Sequence, residues 1–221
     1  MTERLRILIT GFGPFPGAPF NPTEPLVARL SRLRRPAFGD IKILGHVFPV
    51  TYRDVDRQLP ALLASFRPHA LLMFGLASRT PYVRIETRAR NAITRLWPDA
   101  NRAYLRKRSI SNEADDLMFG PHTARLLRAA AVTGIDARVS RNAGNYLCNY
   151  LSWRAIEATS RDDGPRLAAF VHIPPLPRGG SAEKKSTRHR ITLDELTDAG
   201  EAMLLEVMRL TRQALRARSI G

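Results

Sequence analysis

Short apolar runs alternate with amphipathic stretches along most of the chain. Three of the runs, RILIT, HALLMFG and LAAFVHIP, stop at a glycine or at a pair of prolines, which is typical of strands buried on both faces of a sheet. Two further strands are predicted at 41–50 and 136–140, an extended pair at 82–94, and helices at 23–33, 52–66, 121–132, 145–158 and 193–217. A capping box, Thr192 with Glu195, opens the last helix. This alternation predicts an α/β domain around a central, largely parallel sheet.

The carboxyl ends of the strands are the places where folds of this kind bind their ligands. Four places meet that rule: the turn after residue 10, the turn after residue 75, the turn before Cys148, and the end of the strand at His172. Residues 178–190, RGGSAEKKSTRHR, are polar and contain glycine, so we expect a mobile loop there.

Composition narrows the class of protein. The 221 residues are 44% hydrophobic and 25% charged, a globular balance that fits one domain over residues 1–221 and argues against disorder. No apolar run approaches the roughly 20 residues of a membrane helix, and the N-terminus has no apolar segment of secretory length. The single cysteine cannot form an internal disulfide, so we expect a cytoplasmic protein without membrane contact.

The net charge is strongly basic. Lys and Arg outnumber Asp and Glu by 35 to 20, a formal charge of +15, and such a field favours contact with nucleic acids or other polyanions. The cations are nearly all arginines, however, and they are scattered through every predicted helix instead of gathered in one arm. We therefore do not expect nucleic acid as the partner, and a basic binding protein without catalysis stays open as an alternative.

Cys148, in RNAGNYLCNY, is a candidate nucleophile. With Asn145 as N-cap, Cys148 falls in the first turn of its helix, where free backbone N–H groups and the helix dipole stabilise a thiolate. The alternative is a small core residue, since unpaired cysteines are usually buried. A nucleophilic cysteine also needs a base, and the base needs an orienting partner.

His172 is the best candidate for the base, because it closes a buried strand at the carboxyl edge of the sheet. The other histidines lie in less suitable places: His46 in mid-strand, His69 at a strand's start, His122 at a helix N-terminus and His189 in the basic loop.

Glu86, in YVRIETRARN, is a candidate orienting group for the imidazole. Its neighbours Arg84, Arg88 and Arg90 also allow a plainer interpretation, an ion-pair ladder on an exposed strand. No grouping of Cys, His and carboxylates has the spacing of a metal site, and the chain has no Walker A sequence, no GxGxxG after a strand and no GxSxG. We therefore expect neither a metal nor a cofactor.

Five segments, taken in order, resemble those of the pyroglutamyl-peptidase I family, cytoplasmic cysteine peptidases that remove an N-terminal pyroglutamyl residue. TGFGPF with Asn21-Pro22 resembles TGFxPFGG…NPS, and IETRARN resembles VERVAxN. NAGNYLCN resembles TAGxxxCN, FVHIPPLP resembles FIHVPxLP, and ITLDELTDAGEAM resembles the family's last helix. The resemblance covers nearly the whole length of the chain.

The resemblance implies a triad of Cys148, His172 and Glu86. It further implies a single three-layer α/β/α sandwich with a twisted, mixed sheet, and a homotetramer. Phe12 and Phe15 would border the lactam ring of the substrate with Asn21 supporting their loop, whereas the plainer alternative is that both rings plug the core. An apolar, uncharged pocket suits pyroglutamate, which has no free amine.

Two segments depart from the family's pattern. GxAGGR becomes GLASRT at 75–80, and DARIPDN becomes TRLWPDAN at 94–101. In the second segment Arg95 stands in for an arginine that supports the oxyanion, one residue nearer to Glu86, and Trp97 is inserted. The expected reaction is hydrolysis of pyroglutamyl peptides through a thioester. A different N-terminal acyl or aminoacyl group is the alternative substrate.

Overall fold

The computed structural model describes residues 4–112, 115–177 and 190–218. Its strands are β1 Leu5–Phe12, β2 Ile41–Phe48, β3 Ala70–Leu76, β4 Val83–Glu86, β5 Arg88–Ala89, β6 Leu117–Met118, β7 Ala137–Ser140 and β8 Leu167–Ile173. Its α-helices are α1 Thr23–Ser31, α2 Tyr52–Phe66, α3 His122–Ala131, α4 Leu147–Thr159 and α5 Leu193–Arg218.

Six strands form the central sheet in the order β2-β1-β3-β8-β4-β7. Strands β2, β1, β3 and β8 run parallel to one another, whereas β4 runs antiparallel to β8 and parallel to β7. A separate pair joins β5 and β6. The sheet is therefore mixed and mostly parallel, which confirms the predicted fold class.

Helices cover both faces of the sheet. Successive side chains of a strand point to opposite faces, so the strands contribute to two separate apolar clusters. One cluster combines alternate residues of β1, β3, β4 and β8 with the buried sides of α1, α3 and α5; we call it the α5 face. The other combines the intervening residues of β1, β3 and β8 with α2 and α4; we call it the α4 face. This arrangement confirms the three layers.

The predicted elements match the structure with small shifts at their ends; α1 ends at Ser31 and β2 at Phe48, each two residues earlier than predicted. The extended pair at 82–94 is real, but β4 lies in the central sheet while β5 pairs with β6, a strand that the pattern did not indicate. Helix α4 begins at Leu147, two residues later than predicted. Of the basic loop, residues 178–189, including His189, lie outside the described residues.

The capping box of the last helix is present as predicted. Thr192 N donates to Glu195 Oε2 at 2.7 Å, and Glu195 N donates to Thr192 Oγ1 at 3.2 Å. This reciprocal pair of bonds satisfies two backbone N–H donors that would otherwise lack a partner at the helix end. Within the described ranges, no helix is long and apolar enough to cross a membrane.

Candidate active site

Cys148 and His172 meet across a glycine at the carboxyl edge of the sheet. A Cβ atom on Gly75 would lie 2.7 Å from Cys148 Sγ, so the sulfur rests directly over the backbone of β3. Gly75 pairs in register with His172 on β8, and His172 alternates onto the α4 face with Phe170. Helix α4 covers that same face, so the thiol and the imidazole share one side of the sheet.

Glu86 holds His172 in place through a hydrogen bond to its imidazole. His172 Nδ1 donates to Glu86 Oε1 at 2.8 Å, and both residues are buried, with 5% and 0% of their surface exposed. The edge of Phe170 packs against the imidazole at 5.0 Å between ring centroids. Because the carboxylate occupies Nδ1, the other nitrogen, Nε2, is the basic one, and no described residue hydrogen-bonds it.

Glu86 is therefore part of the interior, and the interpretation of an exposed ion-pair ladder was wrong for this residue. Arg84 Nη2 donates to the same Oε1 oxygen at 2.7 Å. Burial opposes ionisation of the carboxyl, but the hydrogen bond and charge of His172 and the charge of Arg84 outweigh it, so the pKa of Glu86 lies below its usual value. Glu86 is consequently ionised at neutral pH.

The surroundings of Cys148 favour the protonated thiol, whereas a place at the start of a helix favours a thiolate. Burial, together with the negative charge of Glu86, raises the pKa of the Cys148 thiol to about 12, although Arg84 and a backbone hydrogen bond act in the opposite direction. The N-cap is Tyr146 and not Asn145, and Cys148 is the second residue of α4. Among the described residues no hydrogen bond joins Sγ to His172. His172 Nε2, which no described residue hydrogen-bonds, lies on the same face of the sheet as the thiol.

The loop after β1 is tied down by Asn21. Asn21 Nδ2 donates to Gly13 O at 3.1 Å, and its Oδ1 accepts from the amide and hydroxyl of Thr23. Phe12 is buried as the last residue of β1, and Phe15 is half-buried; both pack in the cluster that contains Phe170 and Cys148. The two rings thus lie on the α4 face, in the same cluster as Cys148, and contribute to the core.

Arg95 is not brought into this cluster. Its side chain is exposed, and no hydrogen bond or ion pair connects it to a described residue. The preceding residue is anchored, since Thr94 N donates to Asn145 O at 2.6 Å just before α4. Leu96 and Trp97 follow, with 82% and 59% of their surface exposed. The departing segment therefore lies beside the start of α4 and presents apolar side chains to solvent.

Sequence reasoning missed Asn149 as a structural clamp. Asn149 is fully buried, and its Oδ1 accepts from Arg90 N at 2.7 Å while Nδ2 donates to Arg90 O at 2.8 Å and Ala92 O at 3.1 Å. These bonds hold the segment after β5 against the helix that carries Cys148. The available signal was the Cys-Asn pair itself, since a polar residue beside a buried nucleophile needs partners.

The remaining described histidines lie where the sequence predicted and serve structure. His46 Nε2 bonds Gln58 Oε1 at 2.8 Å within β2 and α2. His69 precedes β3 and accepts from Arg6 N at 3.0 Å, at the amino end of the strand. His122 opens α3 and bonds Ala168 O at 2.8 Å, and burial lowers its pKa.

The sequence profile of one known family, described as pyroglutamyl peptidase, matches residues 5–204 of this chain. The chain belongs to the pyroglutamyl peptidase family. A pyrrolidone-carboxylate peptidase of Pyrococcus furiosus is 29% identical over 174 residues, which cover 78% of this chain and 82% of the relative.

Solved structures of the family share the fold. The pyrrolidone carboxyl peptidase of Thermococcus litoralis is 25% identical, covers 95% of this chain and 96% of its own, and superposes with a TM-score of 0.84. That of Fervidobacterium islandicum is 28% identical, covers 93% of this chain and 99% of its own, and has a TM-score of 0.82. Membership of the pyroglutamyl peptidase family therefore extends over sequence and architecture together.

Proposed function

We propose that this protein is a cysteine peptidase that removes an N-terminal pyroglutamyl residue from peptides through a thioester intermediate. Cys148 is the nucleophile, His172 the general base and acid, and Glu86 the group that orients the imidazole. The observation that carries the proposal is the buried His172–Glu86 hydrogen bond of 2.8 Å, set beside the glycine on which Cys148 Sγ rests. Family membership supplies the class of substrate.

The reaction begins with proton transfer from Cys148 Sγ to His172 Nε2 as the sulfur attacks the pyroglutamyl carbonyl carbon. The tetrahedral oxyanion accepts hydrogen bonds from free backbone N–H groups at the start of α4; one such donor is typically worth about 3 kcal/mol. The imidazolium then donates its proton to the leaving amine, and the C–N bond breaks. Water, deprotonated by His172, attacks the thioester and releases pyroglutamate and the thiol.

Glu86 supports these reaction steps while its own carboxylate stays ionised. Its carboxylate keeps the proton on His172 Nδ1, so Nε2 presents a lone pair to the thiol. It also stabilises the imidazolium that forms when Cys148 ionises. This matters because the thiol, with its pKa raised to about 12, does not ionise alone at neutral pH.

The substrate pocket in this proposal is apolar. Phe12 and Phe15 border the lactam ring, and Asn21 holds their loop through its bond to Gly13 O. An uncharged lactam fits such a surface, whereas a free α-ammonium group would lose its hydration without a partner. Arg95 is exposed on the segment anchored at Asn145, so the proposal assigns it no role in the reaction.

The proposal also covers the domain organisation, the oligomeric state and the location of the protein. We infer that the enzyme is a single domain that works as a homotetramer in the reducing cytoplasm, where its lone thiol stays reduced. Light scattering of the purified protein checks the oligomeric state.

The decisive experiment measures release of a fluorogenic amine from its pyroglutamyl amide by the wild type and by Cys148→Ser. We expect the variant to lose at least about 10³-fold in kcat/KM, because a hydroxyl is a far weaker nucleophile in a site built for sulfur. Circular dichroism of both proteins controls for folding. Equal rates would remove Cys148 from the mechanism.

A panel of substrates tests the acyl group separately. GLASRT and TRLWPDAN replace family segments beside the site, and the second exposes Leu96 and Trp97, so a changed acyl preference has a structural basis. Prolyl, alanyl and N-acetylated amides are compared with the pyroglutamyl amide. We expect the pyroglutamyl amide to have the highest kcat/KM; cleavage of another amide at a higher rate would assign the triad to that substrate instead.

A further inference from the structure

Arg84 is hydrogen-bonded both to Glu86 of the candidate triad and to the segment that precedes α4. Arg84 and Glu86 are two apart on β4, so their side chains lie on the same face. Arg84 Nη2 donates to Glu86 Oε1 at 2.7 Å and to Ser140 Oγ at 2.9 Å, and it also bonds Asn142 O. Only 20% of its side chain is exposed, and its bonds to Glu86 and Ser140 are partly buried, whereas the bond to Asn142 O is exposed.

The position of Arg84 connects three parts of the site. It pairs in antiparallel register with His172, so it lies directly across the ladder from the imidazole. Its bonds to Ser140 and Asn142 hold the segment that leads from β7 into α4 and Cys148. One guanidinium therefore fixes the orienting carboxylate and the approach to the nucleophile together.

The hydrogen bonding of Glu86 depends on this contact. Its Oε2 atom is buried and has no hydrogen-bond partner among the described residues, so both of its bonds converge on Oε1. A carboxylate held at one oxygen by two donors keeps its orientation only while both remain. Losing Arg84 would remove one of the two hydrogen bonds that Oε1 accepts.

The charges of the triad and of Arg84 give a second reason for a role of Arg84 in the site. When Cys148 and His172 form their ion pair, the buried groups are a thiolate, an imidazolium, the Glu86 carboxylate and the Arg84 guanidinium, which sum to zero. Without Arg84 the thiolate would form beside an uncompensated carboxylate, and burying such an excess charge is costly.

The other charged groups around the site do not replace this compensation. Arg88 is engaged with Asp116 at 2.9 Å and with Arg141 O. Arg90 reaches the Asn142 side chain only at 3.5 Å and from an exposed position. On the helix side the neighbours are the phenols of Tyr146 and Tyr150, whose pKa values burial raises to about 12, so both are neutral near pH 7.

We propose that Arg84 is a positioning residue that orients Glu86 and compensates its charge, so that Cys148 ionises against His172 at a lower pH. This inference rests on the proposed function, since it assigns Arg84 to the same triad. The direction of the charge effect agrees with it, because Glu86 raises the pKa of the Cys148 thiol and Arg84 lowers it.

Three variants separate charge from hydrogen bonding. Arg84→Met removes both, Arg84→Gln keeps a donor without the charge, and Arg84→Lys keeps the charge without the planar fork. The matched control is Arg138→Met, because Arg138 lies on the neighbouring strand β7 in an exposed ion pair with Asp136. Each protein is assayed for kcat/KM and for the rate of Cys148 alkylation by iodoacetamide across pH.

We expect Arg84→Met and Arg84→Gln to move the acidic limb of both profiles up by about one pH unit. We also expect kcat/KM to fall by up to about tenfold at pH values on the acidic limb, because a one-unit shift changes the reactive fraction by at most that factor. Arg84→Lys should return the limb close to its wild-type position, and Arg138→Met should leave both profiles unchanged.

Some results would overturn the inference. An unmoved acidic limb in Arg84→Met or Arg84→Gln, or a limb in Arg84→Lys displaced as far as in Arg84→Gln, would show that Arg84 acts only on structure. If Arg84→Met fails to fold by circular dichroism, the Gln and Lys variants decide the question. Unfolding of all three would likewise make Arg84 a stability residue.

Alkylation needs no substrate, so the two proposals fail separately. If the wild type releases no pyroglutamyl amine while the alkylation limb still moves in Arg84→Met, the proposed function is wrong and the role of Arg84 toward the thiol stands. If the wild type is active and the limb does not move, only the inference about Arg84 is lost.

Discussion

The α5 face and the α4 face of the central sheet are both buried, yet they are built from different kinds of residue. On the α5 face, strand residues such as Ile7, Ile9 and Val171 meet aliphatic side chains of α1, α3 and α5. On the α4 face, aromatic rings such as Phe170 and Trp153 form much of the core, and Phe170 packs against His172, which is buried together with Glu86.

The difference shows what a buried site demands beyond a buried core. Apolar side chains on the α5 face need only complementary volume, which many combinations of residues supply. Charged and polar groups on the α4 face need specific partners, since a buried charge without one is strongly destabilising. Substitutions on the first face should therefore change stability alone, whereas those on the second should change activity as well.

The largest expected effect comes from placing a methyl group on Gly75. The new Cβ would lie 2.7 Å from both Cys148 Sγ and Phe170 Cζ, so the nucleophile and the ring beneath His172 must move. We expect Gly75→Ala to lower kcat/KM at least about 100-fold, because displacing a reacting group by about 1 Å costs that much. The unfolding free energy should fall by about 1–3 kcal/mol.

Gly45→Ala is the matched control on the other face. A Cβ there would meet Ser31 Cβ at 3.0 Å and Val27 Cγ1 at 3.2 Å, both on α1. Its stability loss should be similar, with kcat/KM unchanged at a temperature where both variants are folded. A loss of activity in Gly45→Ala as large as that in Gly75→Ala would contradict the separation of the faces.

A pair of phenylalanines gives a second, smaller contrast. Phe74 and Phe170 are both fully buried, on adjacent strands and on opposite faces. We expect Phe74→Leu and Phe170→Leu each to cost about 1–3 kcal/mol in urea denaturation. Only Phe170→Leu should also lower kcat/KM, by about tenfold, because its ring packs on His172 at 5.0 Å. Equal activities in the two variants would show that this packing does not position the base.

The smallest effect concerns acid stability. Because the folded-state pKa of Glu86 is lowered, its ionised form contributes stability that is present above the unfolded pKa and is lost as pH falls through the folded pKa. The stability advantage of wild type over Glu86→Gln in urea should therefore be full at pH 7 and shrink on acidification below the usual Glu range, about pH 4.3.

Asp136→Asn is the control for that measurement. The Asp136 carboxyl also has a lowered pKa, owing to its hydrogen bond with Arg138, but the pair is exposed at the start of β7. Solvent screening makes such a pair weak, so its removal should leave the pH dependence of stability nearly unchanged. An advantage over Glu86→Gln that stays constant from pH 7 to pH 3 would show that Glu86 is not ionised in the native state.

Most of the fold could be predicted from the hydrophobic pattern because the long buried strands are short apolar runs and the helices keep their amphipathic period. Helix α2 and strand β8 were predicted nearly residue for residue. Strand β6 was missed because a two-residue strand carries no period, and β4 was not recognised as antiparallel because pairing direction leaves no local signal. The Arg84–Glu86 pair also allowed the interpretation of an exposed ion-pair ladder, because the alternation of residues along a strand does not show which face of the sheet the helices cover.

By itself, the sequence determined the order of strands and helices, the candidate triad of Cys148, His172 and Glu86, and the family to which these segments are similar. Those features are local, and they depend on residue type and spacing. Only the tertiary structure decided that Glu86 is buried, that Gly75 makes room for the sulfur, and that burial holds Cys148 as a thiol. Desolvation and the charges of neighbouring groups decide ionisation, and both arise only when distant segments pack together.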